Sequence, residues 1–456
     1  MANLIASDGV RGARLIAGGV LAVVISACQH YSAVPLSAEA GLGDFYRKSL
    51  GSPEVTSSLK ERGLSRAESW SVPMLVAAGE VTNPALARAR ADYAAAKASI
   101  DVANALPPFG VALDLQKAVS NGGGDPWTYG FTVDWPIELW GKRPAKAFQA
   151  SQEANVAALA ISKAHWDVRS GVTNSAVELL SARERLVAVH DLSDVLSEWE
   201  AALSQSQILG ETGRLEELTI ARERATYERD EADAKRQVRV VEASLGKALA
   251  LPLNEVSGLV LRPLPEAVPS ISSLTHWERQ AALRRPDVLA GLAGYAVADA
   301  GLRLEILNQY PDVRLNSGLS FDQGQTKWLL GPSLNVLPHL NRAGIAQARA
   351  KLAASRAAFQ EIQTTALTDV SSAWAEYCGS LEQWEKARNL AGKSREFSKV
   401  QQELLKVGEG NRLSVLQYQF LHAQDEVTVV AARSQVWQSL AALQDAVRAP
   451  LIPNTF

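Results

Sequence analysis

Alternating apolar and polar positions predict β-strands in four short stretches of the chain. In residues 127–137 Trp, Tyr, Phe and Val alternate with Thr, Gly and Asp, and residues 109–118 alternate in the same way. Residues 312–321 and 328–336 repeat this period of two, which is the spacing of one face of a strand. The pattern predicts two β-hairpins, 109–137 and 312–336.

A helical pattern fills most of the remaining chain. Two Ala-rich stretches, about 144–209 and 342–407, predict helices of about 66 residues each, or about 100 Å at 1.5 Å per residue. Shorter helices are predicted before each hairpin and after each long helix, over about 84–105, 214–250, 286–309 and 412–448. Pro84 and Pro286 occupy first turns, where proline is favoured.

The succession of helix, hairpin, long helix, turn and helix occurs twice. Pro84 and Pro136 recur as Pro286 and Pro338, and Gly210 recurs as Gly408. We therefore predict a mainly α, internally duplicated chain with a small β part. Its predicted segments are repeat 1 over 83–252 (tip turn 210–214), a connecting equatorial segment over 253–285, repeat 2 over 286–450 (tip turn 408–412) and a tail over 451–456.

The amino terminus has the pattern of a bacterial export signal. Arg11 and Arg14 precede an apolar run over 15–27 that ends Ile-Ser-Ala before Cys28. The run is too short to span a bilayer as a helix, and its end resembles a lipobox. We expect a lipoprotein signal peptide over 1–27, a palmitate-type lipid anchor on Cys28 and an N-terminal segment and linker over 28–82. The alternative is an ordinary cleavable signal with Cys28 incidental. Gln29, in place of Asp, favours the outer membrane.

Composition and charge exclude several protein classes. The net charge is −3, so no basic excess indicates nucleic-acid binding. A mean hydropathy of −0.05 argues against a polytopic helical membrane protein. Two cysteines and six scattered histidines without HExxH or CxxC predict no metal site, no cofactor and no enzyme. Cys378, beside Tyr377 in a helical stretch, is expected to be a small buried residue. The charged residues along 211–242 are expected to form a solvated helix face.

The strands favour a membrane-spanning sheet. A period of two over about 10 residues, with aromatic residues near the ends, is typical of a transmembrane β-strand. The alternative is a half-buried sheet packed on helices. Four strands cannot close a barrel, but two copies give eight strands and three copies give twelve, and only twelve leave a lumen. We therefore predict a trimer, a long α-helical coiled-coil barrel and a 12-stranded transmembrane β-barrel. The predicted aromatic girdle is Trp127, Tyr129, Trp135, Trp140 and Trp328.

Several short motifs carry a family resemblance. They are Asn83-Pro84-Ala85-Leu86, Arg285-Pro286-Asp287-Val288, Tyr310-Pro311, the run from Pro338 to Ala346 and the paired Gly210 and Gly408. With these motifs the chain resembles the TolC-like outer-membrane efflux protein family over essentially its whole mature length. Residues 137–143 and 341–346 look most like the heavy-metal cation efflux branch.

The resemblance implies an outer-membrane exit duct of a tripartite efflux system. Its implied partners are two further copies of the chain, a periplasmic adaptor (membrane fusion) protein, an inner-membrane efflux pump and outer-membrane lipids. Two other functions stay open at this point. One is a periplasmic structural coiled-coil lipoprotein without a pore, and the other is a surface enzyme or adhesin on a helical stalk.

The two turns share Gly-Glu-x-x-Arg-Leu, which predicts a common role at the periplasmic tip. The predicted adaptor-contacting residues are Gly210, Glu211, Arg214, Leu215, Gly408, Glu409, Arg412 and Leu413. Alternatively, these residues serve only the turn itself. Glu211, Glu403 and Glu409 are possible gate residues, because three copies around one axis would form a ring of carboxylates. The alternative is that they point outward.

Overall fold

The computed structural model describes residues 31–64, 68–117, 119, 127–208, 213–269, 271, 273–322, 325–334 and 341–451. Cys28, Gly210 and Glu211 lie outside the described residues. The chain divides into two units, Met1–Arg47 and Lys48–Phe456. In the first unit the described residues contain one helix, α1, over Ala38–Arg47. All other helices and strands belong to the second unit.

Ten helices of the second unit are described, and they fall into long and short classes. The longest are α5 (Lys142–Ile208) and α10 (Arg342–Lys406), with 67 and 65 residues. Next are α6 (Arg214–Leu249) and α11 (Arg412–Val447), each with 36 residues. The shorter ones are α2 (Pro53–Glu61), α3 (Val72–Thr82), α4 (Pro84–Asn104), α7 (Leu253–Val256), α8 (Leu274–Arg284) and α9 (Pro286–Leu307).

The four strands form one antiparallel sheet. They are β1 (Gly110–Lys117), β2 (Trp127–Ile137), β3 (Val313–Asp322) and β4 (Gln325–Leu334), in the order β1-β2-β3-β4. The fourth strand begins three residues earlier than its sequence pattern indicates, and residues 335–336 lie outside the described part. The central β2–β3 pairing joins the two repeats. The mainly α, internally duplicated fold class with its four strands is thus confirmed.

Each repeat contributes a long helix and two shorter ones to a shared layer. Helix α5 contacts α4 and α9 on its sheet-proximal half, and α9 also contacts α10. Further from the sheet, α5 contacts α6 and α11, and α11 contacts α10. The long helices are therefore continuous through the layer, whereas two shorter helices of the same repeat share the length alongside.

The two places where shorter helices meet are built at equivalent positions of the repeats. At the start of α4, Asn83 accepts a hydrogen bond from the Ala85 amide and donates one to the Ala248 carbonyl at the end of α6, both at 3.0 Å. At the start of α9, Arg285 donates to the Ala446 carbonyl at the end of α11 at 2.8 Å. Because each side chain satisfies a terminal carbonyl of the neighbouring helix, the two helices stay aligned end to end.

The second junction is charged, whereas the first is neutral. Arg285 is buried and pairs with Asp287 at 2.7 Å and with Asp369 of α10 at 3.4 Å. Burial opposes ionisation of Asp287, but the Arg285 guanidinium outweighs it and lowers the pKa of that carboxyl. The Arg-Pro-Asp motif noted in the sequence therefore ties α9, α10 and α11 together.

Two apolar clusters hold the helices. The larger one joins α3, α5, α6 and α11 through fully buried side chains such as Leu75, Leu245 and Trp437. The smaller one lies toward the helix turns, where Trp199 of α5 packs against Phe420 of α11 with ring centroids 5.4 Å apart. Full burial of each such side chain contributes about 1.5–3 kcal/mol relative to exposure.

The connecting segment between the repeats lies against the helix layer as a strap, which we define as residues 257–269. Arg183 of α5 donates to the Leu259 carbonyl at 2.6 Å, and Arg433 of α11 donates to the Leu264 carbonyl at 3.0 Å. Tyr377 of α10 donates to the Pro269 carbonyl at 3.0 Å. The strap therefore lies on one face of the helix layer and contacts three helices, α5, α10 and α11.

One expectation about a side chain is wrong. Cys378 is exposed, not buried, and its neighbour Tyr377 is the buried residue. Successive helix positions are about 100° apart, so the two side chains point in different directions and only Tyr377 reaches the core. Among the helices of the described ranges, none combines the length and apolar character that a membrane-spanning helix needs.

Candidate functional site

The register of the sheet collects its apolar side chains on one face. Phe131 of β2 lies between Leu113 of β1 and Leu319 of β3, and Leu319 lies opposite Trp328 of β4. Because directly opposed residues share a face, the same face carries the following side chains. They are Val111, Leu113, Leu115, Trp127, Tyr129, Phe131, Val133, Trp135, Val313, Leu315, Leu319, Phe321, Trp328, Leu330 and Leu334.

This apolar face has no cover within the described chain. Leu113 is 83% exposed and Leu330 is 54% exposed, and both lie in the middle of their strands. A continuous apolar surface over four strands is too large for a water-facing sheet. The face therefore requires lipid or another apolar partner.

The opposite face is mainly polar, with Leu329 of β4 as a large apolar exception, and it carries its own side-chain contacts. Arg314 of β3 donates to Asp134 of β2 at 3.2 Å, and Asn316 donates to Ser333 of β4 at 3.1 Å. Asp322 accepts from Thr128 at 2.8 Å and from Lys327 at 2.6 Å. Such a face suits contact with water and does not suit packing on an apolar helix layer.

Glycines allow a close approach of backbones on the polar face. A Cβ at Gly130 would lie 2.7 Å from the Leu319 carbonyl oxygen, and one at Gly318 would lie 2.7 Å from the Phe131 carbonyl oxygen. Real Cβ atoms do not approach backbone so closely, so β2 and β3 need glycine here. At Gly331 of β4, which is on the same face, a Cβ would meet nothing within 4 Å.

The five predicted girdle residues are all exposed, and they lie toward both ends of the sheet. Trp127 and Trp328 are at the hairpin end, and Tyr129 stacks on Phe321 with ring centroids 5.2 Å apart. Trp135 and Trp140 are at the helix end, where Trp135 packs against Phe109 at 5.7 Å. Amphipathic rings at both ends of an apolar band are typical of a membrane-spanning sheet.

Sequence reasoning missed the importance of Lys142 at the junction of sheet and helices. Lys142 is only 5% exposed and donates to the Tyr310 carbonyl at 2.7 Å and to Asp312 at 2.8 Å. Trp140 adopts the left-handed region at φ 63°, donates to the Pro311 carbonyl at 3.1 Å and stacks on Tyr310. These contacts fix the start of α5 against the start of β3. A lysine followed by an arginine and a proline gives no sequence signal of burial.

The edges of the sheet are open. Within the described residues β1 pairs only with β2, and β4 pairs only with β3. The outer edges of β1 and β4 therefore present backbone N–H and C=O groups without strand partners. In hydrocarbon each such unsatisfied group costs several kcal/mol.

The turn between α10 and α11 lies at the end of the long helix that is far from the sheet. Gly408 has φ +82°, and the Glu409 amide donates to the Leu404 carbonyl at 3.0 Å, which ends α10. A Cβ at Gly410 would lie 2.6 Å from the Leu405 amide nitrogen. Asn411 caps α11 by accepting from the Leu413 amide at 2.9 Å. The two glycines and Asn411 are thus needed for the turn itself.

The remaining predicted tip residues differ in exposure. Arg214 and Arg412 are exposed at the first turns of α6 and α11, and neither forms an ion pair within the described residues. Leu215 is 75% exposed, whereas Leu413 is partly buried against the smaller apolar cluster. Glu403 is exposed and pairs with Lys406 at 2.7 Å, and Glu409 is also exposed.

The described residues contain no group of three or more His, Cys, Asp and Glu that could hold a metal ion. The charged stretch along α6 forms surface pairs, such as Lys235 with Glu231 at 2.7 Å. Exposed pairs of this kind contribute little to stability, because water and salt screen them.

Comparison with known proteins bears on the family resemblance. Residues 79–251 match the family model described as outer membrane efflux protein. The resemblance to the outer-membrane efflux proteins is confirmed. A comparison of the sequence with curated proteins gives no significant match.

Solved structures of outer-membrane channels share the fold. The outer membrane protein VceC of Vibrio cholerae is 16% identical with a TM-score of 0.68, over 83% of this chain and 96% of that one. The outer-membrane channel OprN is 16% identical with a TM-score of 0.71, over 93% and 98%. The CmeC outer membrane channel of Campylobacter jejuni is 15% identical with a TM-score of 0.68, over 92% and 93%. The fold of these channels therefore extends over both repeats, beyond the segment that the family model matches.

The close approach at Gly130 and Gly318 generates a prediction. Gly318→Val should prevent assembly of the sheet, because its side chain would collide with the backbone of β2. Gly331→Val is the matched control, since it adds the same side chain to the same face where space is open. The measurement is the yield of oligomer that survives unheated detergent electrophoresis. We expect a loss of at least tenfold for Gly318→Val and little change for Gly331→Val, and equal yields would contradict the account.

Proposed function

We propose that the protein is the outer-membrane exit duct of a tripartite efflux system. The observation that carries this proposal is the four-stranded sheet with one lipid-compatible face, one polar face and two open edges, joined directly to helices of about 100 Å. Three copies would give twelve strands, which close the edges and leave an aqueous lumen lined by the polar face. The family match supports this function over a structural lipoprotein without a pore.

The dimensions of the sheet agree with a membrane band. Trp127 and Trp135 are eight positions apart on β2. At about 3.4 Å per residue this is about 27 Å along the strand, and a strand tilt of about 40° reduces it to roughly 20 Å. Outer-membrane barrels have an apolar band of about 25 Å. The aromatic girdle thus supports an outer-membrane location with a long periplasmic helical part.

The duct proposal is tested by planar-bilayer recordings of the purified protein. We expect a heat-labile trimer that produces discrete single-channel conductance. The absence of conductance steps would contradict the proposal. That result is expected of a pore-free structural lipoprotein, a surface adhesin or an enzyme on a stalk.

A carboxylate gate at the tip is a further part of the proposal. Its support is the exposure of Glu403 and Glu409 beside the turn of repeat 2. Glu211 is the residue of repeat 1 that corresponds to Glu409 in the sequence. In the same bilayers, Glu403→Ala, Glu409→Ala and Glu211→Ala should together change cation selectivity. Unchanged conductance and selectivity would contradict the carboxylate gate, and closure of the tip would then depend on helix packing.

The helix turns are proposed to contact the periplasmic adaptor, which in turn connects to an inner-membrane pump. Arg214 and Arg412 support this, because they are exposed at the turns and lack partners within the described residues. Apolar side chains near them are exposed as well, including Ile208, Leu215 and Val407. Unpaired arginines beside exposed apolar residues are typical of protein interfaces.

Charge reversal tests the proposed tip contact. The double variant Arg214→Glu and Arg412→Glu should abolish efflux-dependent resistance while trimer levels stay normal. Arg239→Glu is the control, because Arg239 is an exposed arginine on α6 far from the turn. Full resistance in the double variant, or equal loss in the control, would falsify the contact.

The lipid anchor on Cys28 is also proposed, on the support of the Ile-Ser-Ala-Cys sequence alone. Cys28→Ala should abolish incorporation of labelled palmitate and weaken assembly only partly, because the barrel would hold the protein in the membrane by itself. Labelling that persists unchanged in the variant would show that another residue is acylated, and an unlabelled parent protein would show that none is.

The heavy-metal cation branch stays a prediction. The residues that resemble it have structural contacts at the sheet–helix junction, such as Lys146 with Glu138 and Lys142 with Asp312. These contacts account for the residues without any reference to the exported compound.

A further inference from the structure

The two repeats can be compared residue by residue on the far side of the sheet. Helices α6 and α11 begin and end 198 positions apart, and the last residues of α5 and α10 are also 198 positions apart. Val172 and Val370, separated by the same interval, are both fully buried. A residue of this part of repeat 1 therefore has its structural equivalent 198 positions later in repeat 2.

The long helices of the two repeats differ in what covers them near the turns. Helix α5 packs against both α6 and α11. Helix α10 packs against α11, and α6 makes no comparable contact with α10 in the described chain. The turn-proximal part of α10 therefore lacks the second neighbour that α5 has.

Three apolar side chains of α10 are exposed where their equivalents on α5 are buried. The exposed ones, at 52%, 62% and 50%, are Leu390, Phe397 and Val400. The buried ones, at 9%, 8% and 7%, are Leu192, Trp199 and Ala202. Phe397 is exposed although it stacks on Tyr418 of α11. The α10 side chains follow one another at seven and three positions, so they form a row on one side of the helix, which we call the α10 stripe. Such a row is typical of a surface that a second helix covers.

Helix α6 has an uncovered side near the turns as well. Leu416 and Phe420 of α11 are buried in the smaller apolar cluster with α5. Their equivalents on α6, Leu218 and Arg222, are exposed. Arg222 lies two positions after Ile220, which is buried in the cluster with α5, and the helical repeat of 100° places Arg222 on the side of α6 away from α5.

The contact between α5 and α11 is a template for a contact between the two uncovered sides. Trp199 of α5 packs against Phe420 of α11 with ring centroids 5.4 Å apart. The equivalent residues, 198 positions later on α10 and 198 positions earlier on α6, are Phe397 and Arg222. An arginine guanidinium over an aromatic ring is a favourable pair, so the template contact stays attractive after the exchange.

A charged pair of the template has an equivalent with the same signs. Glu184 of α5 lies 3.9 Å from Arg433 of α11. The equivalents are Glu382 on α10 and Lys235 on α6, so the acid stays on the long helix and the base on the shorter one. Both side chains are exposed, and within the described ranges Glu382 forms no ion pair. Charge complementarity thus favours a partner with the α6 sequence.

The sheet favours the same pairing of repeats. Its open edges are β1, which belongs to repeat 1, and β4, which belongs to repeat 2. Helix α6 belongs to repeat 1 and α10 to repeat 2. A neighbouring copy that joins β1 to β4 would therefore also bring repeat 1 of one chain beside repeat 2 of the other.

We propose that the α10 stripe binds α6 of a second copy of this chain, with Phe397 against Arg222 and Glu382 against Lys235. The two copies use different surfaces, and such head-to-tail contacts form a ring when the rotation closes. The proposal rests on the trimeric duct of the proposed function, and it names the helical surfaces through which the copies meet.

Thiol crosslinking in outer membranes tests the contact. In a Cys378→Ser background, Phe397→Cys and Arg222→Cys would be combined and treated with a short bis-maleimide. We expect crosslinked dimers and trimers in denaturing electrophoresis, because α6 and α10 do not pack together within one described chain. Lys399→Cys with Arg222→Cys is the matched control. Lys399 is exposed two positions further along α10 and lines a groove beside α11, so we expect about fivefold less crosslinking.

Exchange of charges tests the ion pair independently. Glu382→Lys should lower the yield of heat-labile trimer, and addition of Lys235→Glu should restore at least half of the loss. Glu361→Lys is the control, because Glu361 is exposed on α10 about 30 Å along the helix from Glu382. Addition of Lys235→Glu to this control should give no gain. Absence of rescue at Glu382, or equal rescue of both variants, contradicts the pair.

Conductance measurements on the same proteins separate the contact from the duct. Conducting trimers that crosslink no better through Phe397 than through Lys399 contradict the contact and leave the duct intact. Crosslinks specific to Phe397, in a protein without conductance steps, support the contact and contradict the duct. Crosslinks from Phe397 to a different protein alone would assign the α10 stripe to another partner and overturn the proposal.

Discussion

The open edges of the four-stranded sheet constrain the rest of the structure. Hydrogen-bonding groups at the outer edges of β1 and β4 cannot be left unpaired in lipid, and the chain supplies no fifth strand among its described residues. Other copies of the same chain can supply the pairing, because the two edges are complementary backbone. The apolar face then meets lipid and the polar face meets water. Oligomer closure is thus a requirement of backbone chemistry, and the helices must fit the same symmetry.

The duplicated helices match this requirement, because each repeat supplies one hairpin of the sheet. One sheet needs two hairpins, and each hairpin is carried by its own set of one long and two shorter helices. The junctions at Asn83 and Arg285 keep the shorter helices aligned beside α5 and α10. Lys142 fixes the sheet to the start of α5. Because residues 137–142 join β2 directly to α5, a duct would stay continuous from the sheet along α5.

The sequence allowed the fold to be predicted where periodicity is long and regular. The strands, the long helices and the glycine turn at Gly408 all follow from spacing and from proline and glycine positions. Three features did not follow. Cys378 and Tyr377 are neighbours, and only helix phase decides which is buried. Lys142 is buried through contacts with residues about 170 positions away. The strap is held by Arg183 and Arg433, which resemble any surface arginine in the sequence.

Crosslinking between the two open edges tests the central claim most directly. In a Cys378→Ser background, cysteines placed singly along β1 would be paired with a cysteine at Leu330 of β4, and disulfides would be formed in outer membranes. If three copies close the sheet, some β1 position will yield crosslinked dimers and trimers and no larger species. A ladder that ends at the dimer, extends past the trimer or never forms would contradict closure by three copies.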